Sequence, residues 1–113
     1  ILRTAYTGFR AAAVETGEAL GAGAKTVIHT GFWGCGAFGG NRELMALVQY
    51  IAANLAGVDR LVFHSADRKG KAVAAEAAFR YDEILAERAL EGTQEVLYAI
   101  EEEGYEWGTS DGN

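Results

Sequence analysis

Apolar residues recur at helical spacing in four stretches of the chain, and two short apolar runs separate the first three of these stretches. The first stretch runs from Ile1 to Leu20, and Gly17 is expected to interrupt it. Thr26 to Thr30 and Arg60 to His64 have the length and composition typical of strands. The pattern therefore predicts a mixed α/β protein.

A second helix is predicted after Asn41, because asparagine is a favourable N-cap residue. The apolar positions that mark one face of this helix are Leu44, Leu47, Val48, Ile51 and Leu55. Gly57 is expected to end the helix. Residues 26 to 64 thus read as strand, glycine-rich loop, helix and strand, which is a βαβ unit with a parallel strand pair.

The C-terminal part is predicted to be helical. Lys71 to Leu90 is rich in alanine and glutamate, and a final helix is expected to begin after Thr93 and to stop at Gly104. We expect one compact domain over residues 1–104, followed by a loose tail at residues 105–113 that includes Trp107.

Composition restricts the partners of the chain. Ten basic against sixteen acidic residues give a formal net charge of −6, which argues against duplex nucleic acid and against an anionic membrane surface. Cys35 is the single cysteine, so no internal disulfide can form, which favours an intracellular protein, cytoplasmic or nuclear. Together with His29 and His64 it makes no metal-ligand cluster, so we expect neither a metal site nor a cofactor.

The loop between the first strand and the second helix is the strongest candidate for a binding site. Five glycines lie within ten residues: Gly31, Gly34, Gly36, Gly39 and Gly40. Without Cβ atoms they allow left-handed backbone and a close approach of an anion to peptide N–H groups. The start of the following helix adds unpaired N–H groups and a partial positive charge. This pattern favours a phosphate or diphosphate ligand.

A Rossmann dinucleotide-binding domain is one reading of this loop, since Gly34, Gly36 and Gly39 match G-x-G-x-x-G. A Rossmann domain has a ribose-binding acid about twenty residues after these glycines, and Asp59 lies at that distance. Asp59, however, precedes the second strand and so lies at the opposite end of the sheet, whereas Asp67 is at the better end but further along. A nicotinamide-binding domain is therefore the least favoured alternative.

A longer pattern surrounds the same loop. Residues 31–41 read Gly-Phe-Trp-Gly-Cys-Gly-Ala-Phe-Gly-Gly-Asn, followed by Leu44, Ala46, Leu47, Gln49, Ala52, Ala53 and the strand Leu61-Val-Phe63. This pattern resembles the C-terminal part of the macrodomain in the poly(ADP-ribose) glycohydrolase family, and Leu2, Ala5, Tyr6, Gly8 and Phe9 resemble its upstream segment. The resemblance implies a macrodomain-like three-layer α/β/α sandwich, to which this chain supplies the C-terminal βαβ unit and flanking helices.

The resemblance also implies a ligand for the loop. The residues that would wrap the diphosphate of ADP-ribose are Gly34, Cys35, Gly36, Ala37, Phe38, Gly39 and Gly40, and Phe38 would hold the adjoining ribose. Phe32, Asn41 and His64 are expected near the ligand. Phe32 stands where relatives commonly carry a polar residue, and His64 follows the second strand where relatives place an aromatic residue near the adenine.

Three further side chains near the loop are expected to have packing roles. Cys35 is a small side chain that fills space within the loop, because no histidine or acid lies at a spacing that would make it a nucleophile. Trp33 is expected to fix the loop against a neighbouring element. His29, inside the first strand, is expected to be a buried and hydrogen-bonded core residue.

The resemblance implies cleavage of the ribose–ribose O-glycosidic bonds of poly(ADP-ribose), which requires a carboxylic acid to protonate the leaving oxygen. The family's catalytic signature, a glycine triplet followed by Gln-Glu-Glu, does not occur in these residues. No catalytic residue is therefore expected in this chain, and the glutamates are expected on an N-terminal segment of the same enzyme. The start at Ile1 favours a processed or cleaved piece. The alternative is a macrodomain module that binds ADP-ribose without cleaving it.

Overall fold

A computed structural model of the chain describes residues 1–36, 39–88 and 93–106. Its elements, in chain order, are α1 (Leu2–Leu20), β1 (Val27–Thr30), α2 (Arg42–Ala56), β2 (Arg60–Phe63), α3 (Arg68–Arg88) and α4 (Thr93–Glu102). The order and type of these elements confirm the prediction from the sequence. No helix in these ranges is long and apolar enough to cross a bilayer.

The strands β1 and β2 form a parallel pair, as the βαβ pattern predicts, with Val27 opposite Arg60 and Thr30 opposite Phe63. Their entry into the sheet is fixed by Thr26 and Asp59. The Thr26 backbone N–H donates to Asp59 Oδ2 at 2.7 Å, and the Thr26 carbonyl accepts from the Asp59 N–H at 3.0 Å. Because Asp59 binds the Thr26 backbone through both its carboxylate and its N–H, the N-terminal ends of the two strands are held side by side.

Helix α2 lies at the centre of the fold and packs on both sides. On one side Leu47 and Ile51 join a core cluster with Ile84 of α3 and with Ala99 and Ile100 of α4. On the other side small residues of α2 pack against α1 and the sheet; this cluster contains Ala5, Phe9, Ala52, Ala53 and Ala56, with Ile28 and Leu61 packed against it. The alanines let α1 and α2 approach closely, so among the described elements α2 holds the sheet and the other helices together.

Local signals set the ends of α2. Asn41 Oδ1 accepts a hydrogen bond from the Leu44 backbone N–H at 3.0 Å, which is the predicted N-cap. Gly57 follows the last turn with φ 76°, a left-handed conformation that glycine adopts without strain. Arg10 of α1 donates to the Ala56 carbonyl at 3.3 Å, which places a cation at the negative end of the α2 dipole.

Three predicted details of the helices are wrong. Helix α1 continues through Gly17 to Leu20, since one glycine costs about 1 kcal/mol in a helix and the hydrogen bonds on either side are retained. Helix α3 begins at Arg68 rather than Lys71, because Asp67 Oδ1 caps it by accepting from the Gly70 N–H at 2.6 Å. Leu55 lies at 46% exposure and so belongs to the solvent face of α2. The predicted end of the α3 segment at Leu90 lies outside the described residues.

The described helices cover one face of the sheet, the face that carries Ile28 and Leu61. Val27 and His29 point to the opposite face and are exposed, because successive strand residues alternate between faces. The prediction of a buried His29 is therefore wrong, although its ring is hydrogen-bonded. The structure is α/β, as expected, and the third layer of an α/β/α sandwich stays a prediction.

Two leucines of α2 test this packing. Leu47 is fully buried at 0% exposure, so Leu47→Ala should lower the free energy of unfolding by about 2–5 kcal/mol through lost contacts and a cavity. Leu55→Ala removes the same atoms from an exposed position and should change the free energy by less than about 0.5 kcal/mol. Urea denaturation followed by circular dichroism gives both values. Equal losses for the two variants would contradict the arrangement of α2.

Candidate functional site

The glycine-rich loop leaves the C-terminal end of β1 at Thr30 and enters α2 at Asn41. It therefore lies at the carboxyl edge of a parallel strand pair, beside the loop that joins β2 to α3. In open α/β sheets this edge is where ligands bind, because loops and helix N-termini converge there.

The entry to the loop is fixed by Gln49, a buried polar residue of α2 at 0% exposure. Gln49 Oε1 accepts from the Thr30 hydroxyl at 2.6 Å, and Gln49 Nε2 donates to the Gly31 carbonyl at 2.9 Å. The oxygen and the nitrogen of the Gln49 amide are thus both hydrogen-bonded, and their partners are consecutive in the chain. This contact holds the last residue of β1 and the first residue of the loop against the middle of α2.

The interior of the loop is shaped by its own backbone hydrogen bonds. The Gly40 N–H donates to the Gly34 carbonyl at 2.9 Å, and the Gly39 N–H donates to the Gly36 carbonyl at 3.0 Å. Gly34 and Gly39 have φ values of 67° and 68°, which L residues with side chains rarely adopt. A Cβ atom on Gly40 would lie 2.7 Å from the Gly34 carbonyl oxygen. The loop therefore requires glycine at these positions.

The same hydrogen bonds divide the predicted cradle into two groups of residues. The N–H groups of Gly39 and Gly40 are used to fold the loop, and the Cys35 N–H donates to the Phe32 carbonyl at 3.3 Å. The N–H groups of Gly34 and Gly36 donate to no acceptor within the described ranges. That these two N–H groups meet the diphosphate stays a prediction. Ala37 and Phe38 lie outside the described residues, so their roles stay predictions.

Two packing roles near the loop are confirmed. Cys35 is buried at 3% exposure inside the loop, and its Sγ atom lies 3.5 Å from the Trp33 carbonyl that it donates to. The Trp33 ring meets the Phe9 ring of α1 edge-on, with 6.0 Å between ring centroids. Trp33 thus joins the loop to α1.

Phe32 packs toward the loop between β2 and α3. Its ring lies 5.4 Å from the Phe63 ring, and the Arg42 guanidinium lies 5.6 Å from the Phe32 centroid. A Cβ atom on Gly70 would come within 3.1 Å of Phe32 Cε2, so a glycine makes room for this ring. Phe63 in turn meets Tyr50 of α2, on the covered face of the sheet. That Phe32 lies near the ligand stays a prediction.

His29 and His64 form a pair that the sequence did not predict. His29 lies opposite Val62, so His64, two residues further along, is on the same exposed face. His29 Nδ1 and His64 Nε2 are 2.7 Å apart, and the ring centroids are 5.0 Å apart. These two distances agree only if both nitrogens lie close to the line that joins the ring centroids. The two rings therefore meet edge to edge through this hydrogen bond. Only the strand register could have revealed this pair.

The described part of the chain brings together no group of three or more histidine, cysteine, aspartate or glutamate side chains that could hold a metal ion. The two histidines share a hydrogen bond, and Cys35 is enclosed within the glycine loop. His64 is nonetheless close to the carboxyl edge of the sheet, because its N–H donates to the Thr30 carbonyl at 2.8 Å. Its place near the ligand stays a prediction.

The two candidates for the ribose-binding acid of a Rossmann domain are both engaged in other contacts. Asp59 is bonded to Thr26 at the N-terminal end of the sheet. Asp67 caps α3 and pairs with Arg42 at 3.3 Å. The Gly70 N–H, and then Arg42, hold the pKa of Asp67 below its usual value, so the carboxylate stays charged in these contacts. Neither acid is placed to bind the ribose of a dinucleotide.

Comparison with known families agrees with this geometry. The family model described as poly(ADP-ribose) glycohydrolase, macro domain fold, matches residues 2–72. The chain belongs to this family. The match spans α1, both strands, the glycine loop, α2 and the start of α3, so the poly(ADP-ribose) glycohydrolase family includes the loop together with the strand and the helix on either side of it. No solved structure matches the chain.

Gly40 offers a direct test of the loop. Gly40→Ala places a Cβ atom 2.7 Å from backbone, so we expect the free energy of unfolding to fall by about 1–3 kcal/mol. Gly8→Ala in α1 is the control, because nothing lies within 4 Å of its Cβ and alanine favours a helix by roughly 0.5–1 kcal/mol. Urea denaturation measures both. A Gly40→Ala protein as stable as the wild type would contradict the close approach.

Gln49 tests the entry to the loop. Gln49→Leu keeps the volume but leaves the Thr30 hydroxyl and the Gly31 carbonyl without their partner, and each buried unpaired group costs about 1–3 kcal/mol. Thr30→Val removes one partner and its hydrogen bond together, so it should be less destabilising. Unfolding measurements on both variants decide the order. A more stable Gln49→Leu protein would mean that these hydrogen bonds do not hold the loop.

Proposed function

We propose that the chain is the diphosphate-binding part of a poly(ADP-ribose) glycohydrolase. The observation that carries the proposal is the glycine loop of a family member, held at the carboxyl edge of its parallel strands with the Gly34 and Gly36 N–H groups directed to no described acceptor. Backbone donors of this kind suit the oxygens of a diphosphate, which carry negative charge over several atoms.

The binding residues of this proposal are those of the loop. Gly34 and Gly36 would donate to the diphosphate of ADP-ribose, while Gly39 and Gly40 keep the loop in shape through their bonds to Gly36 and Gly34. Phe38 would hold the adjoining ribose. A local site of this kind is compatible with the formal net charge of −6, because backbone N–H groups attract an anion without adding basic side chains.

The cleavage step needs a carboxylic acid, and the motif that carries this acid in the family does not occur in these residues. The sequence contains neither a glycine triplet nor a Gln-Glu-Glu run. Hydrolysis of the ribose–ribose O-glycosidic bond requires a carboxylic acid that protonates the leaving oxygen while positive charge develops on the sugar. We therefore assign the catalytic glutamates to an N-terminal segment of the same enzyme. The loop described above would hold the substrate for them.

A second candidate function is an ADP-ribose-binding module without hydrolytic activity. It is favoured by the same absence of the family's glutamate motif, and it uses the same loop for the same ligand. The two candidates agree on binding and differ on turnover. A protein that contains the upstream glutamates would be a glycosidase, whereas the binding module would release no ADP-ribose from the polymer.

Calorimetric titration with ADP-ribose tests the binding proposal. The wild-type chain should bind ADP-ribose more tightly than NAD, since the site is expected to recognise a diphosphate that ends in ribose. Gly36→Val should weaken ADP-ribose by about tenfold or more, because its side chain would occupy the approach to the backbone donors. Gly8→Ala, in α1 and away from the loop, serves as the control and should bind as the wild type does.

Turnover separates the two candidates. The 113-residue chain should release no ADP-ribose from poly(ADP-ribose), and addition of the upstream glutamate segment should produce hydrolysis. Cleavage by this chain without that segment would overturn the assignment of the acid. Binding that is unchanged in a folded Gly36→Val protein would overturn the assignment of the loop.

A further inference from the structure

Tyr105 and Glu106, the two residues before position 107, lie at the start of α2. After α4 the chain turns at Gly104, whose φ is 69°, and Tyr105 and Glu106 then lie beside the first turn of α2. The Tyr105 hydroxyl donates to Glu43 Oε1 at 2.8 Å, and Asn41 Nδ2 donates to the Glu106 carbonyl at 3.1 Å. The predicted loose tail is therefore anchored at its first two residues, and residues 107–113 lie outside the described residues.

We propose that Tyr105 and Glu106 form a clamp that positions the exit of the glycine loop and holds the Glu43 carboxylate away from a bound diphosphate. The inference rests on the proposed function of the loop. Both clamp residues lie outside residues 2–72, the range that the family model matches. They would therefore position the loop from a part of the chain that the model does not match.

Glu43 is the reason that a clamp is needed. It is the acidic residue in the first turn of α2, at the positive end of the helix dipole. A carboxylate there is attracted to the same helix terminus as a diphosphate and repels the ligand's charge. The hydrogen bond from Tyr105 holds one Glu43 carboxylate oxygen against the residues that follow α4. An untethered Glu43 would therefore compete with the ligand.

Tyr105 is well placed to hold this carboxylate. It packs against the core cluster of Leu47, Ile51, Ile84, Ala99 and Ile100, which fixes the position of its ring. Burial, and then the hydrogen bond to Glu43 and the charge of that carboxylate, raise the pKa of Tyr105 above its usual value. The hydroxyl thus keeps its proton and remains a hydrogen-bond donor throughout the neutral pH range. Arg80 supports the preceding turn from α3 through Glu103 at 3.9 Å.

Asn41 carries the other half of the clamp. Its Oδ1 atom caps α2 at Leu44, and its Nδ2 atom binds the Glu106 carbonyl, so both ends of the amide are used. Asn41 also follows Gly40, whose N–H closes the loop onto Gly34. A side chain held at both ends fixes where the loop stops and the helix starts. Asn41 is therefore a positioning residue in this proposal, which leaves its predicted nearness to the ligand open.

Binding of ADP-ribose to matched variants tests the clamp. Tyr105→Phe removes the hydroxyl and keeps the packed ring, so it should weaken ADP-ribose by about threefold to tenfold, the effect of one hydrogen bond. Asn41→Ser keeps an N-cap oxygen but loses the donor to Glu106, and should weaken binding by a similar factor. Tyr98→Phe is the control, because Tyr98 is an exposed tyrosine of the neighbouring helix α4.

Rescue separates positioning from plain stabilisation. Glu43→Gln added to Tyr105→Phe removes the charge that would compete with the diphosphate, so the double variant should bind ADP-ribose within about twofold of the wild type. A Tyr105→Phe protein that binds as the wild type does, or a weakened one that Glu43→Gln does not rescue, would overturn the clamp. A wild-type chain that binds no ADP-ribose would instead refute the proposed function, and the clamp with it.

Discussion

The buried amide of Gln49 is the contact on which the shape of the site depends. It is fully enclosed, and its two hydrogen bonds join the last residue of β1 and the first residue of the loop to the centre of α2. Asn41 performs the matching task at the other end of the loop, roughly two turns earlier on the same helix. The side-chain amides of Gln49 and Asn41 both belong to α2 or its N-cap. The glycine loop is therefore attached to this helix at both its entry and its exit. Its flexible glycines can therefore hold one conformation.

Elements whose signals are local could be predicted from the sequence. The N-cap at Asn41 and the left-handed Gly57 bound α2 because each needs only its immediate neighbours to form. The parallel pairing of β1 and β2 follows from the helix between them, since such a connection returns the chain in the same direction. The glycine loop was also recognisable, because its residue types are required by close backbone approaches such as that of Gly40 to Gly34.

Features that depend on contacts between distant residues could not be predicted in the same way. The exposure of His29 depends on which face of the sheet the helices cover, and its partner His64 depends on the strand register. Leu55 fits the apolar period of α2, yet its side chain is 46% exposed. The bonds of Tyr105 and Glu106 join residues more than sixty positions apart, and no local pattern encodes them. The Gly39 and Gly40 N–H groups donate to carbonyls of the same loop, and this pairing depends on the path that the loop takes in three dimensions.

The sheet has a consequence for how the chain behaves in solution. Within the described ranges it contains two strands, so β1 and β2 are both edge strands, and the face that bears Val27 is exposed. Edge strands present unpaired backbone N–H and C=O groups, which bind any extended chain that offers a matching row. Parallel sheets usually have both faces covered and occur with more than two strands. Within the described ranges, each strand of this pair thus has one neighbour, and its other edge is a row of backbone groups to which an extended chain can add.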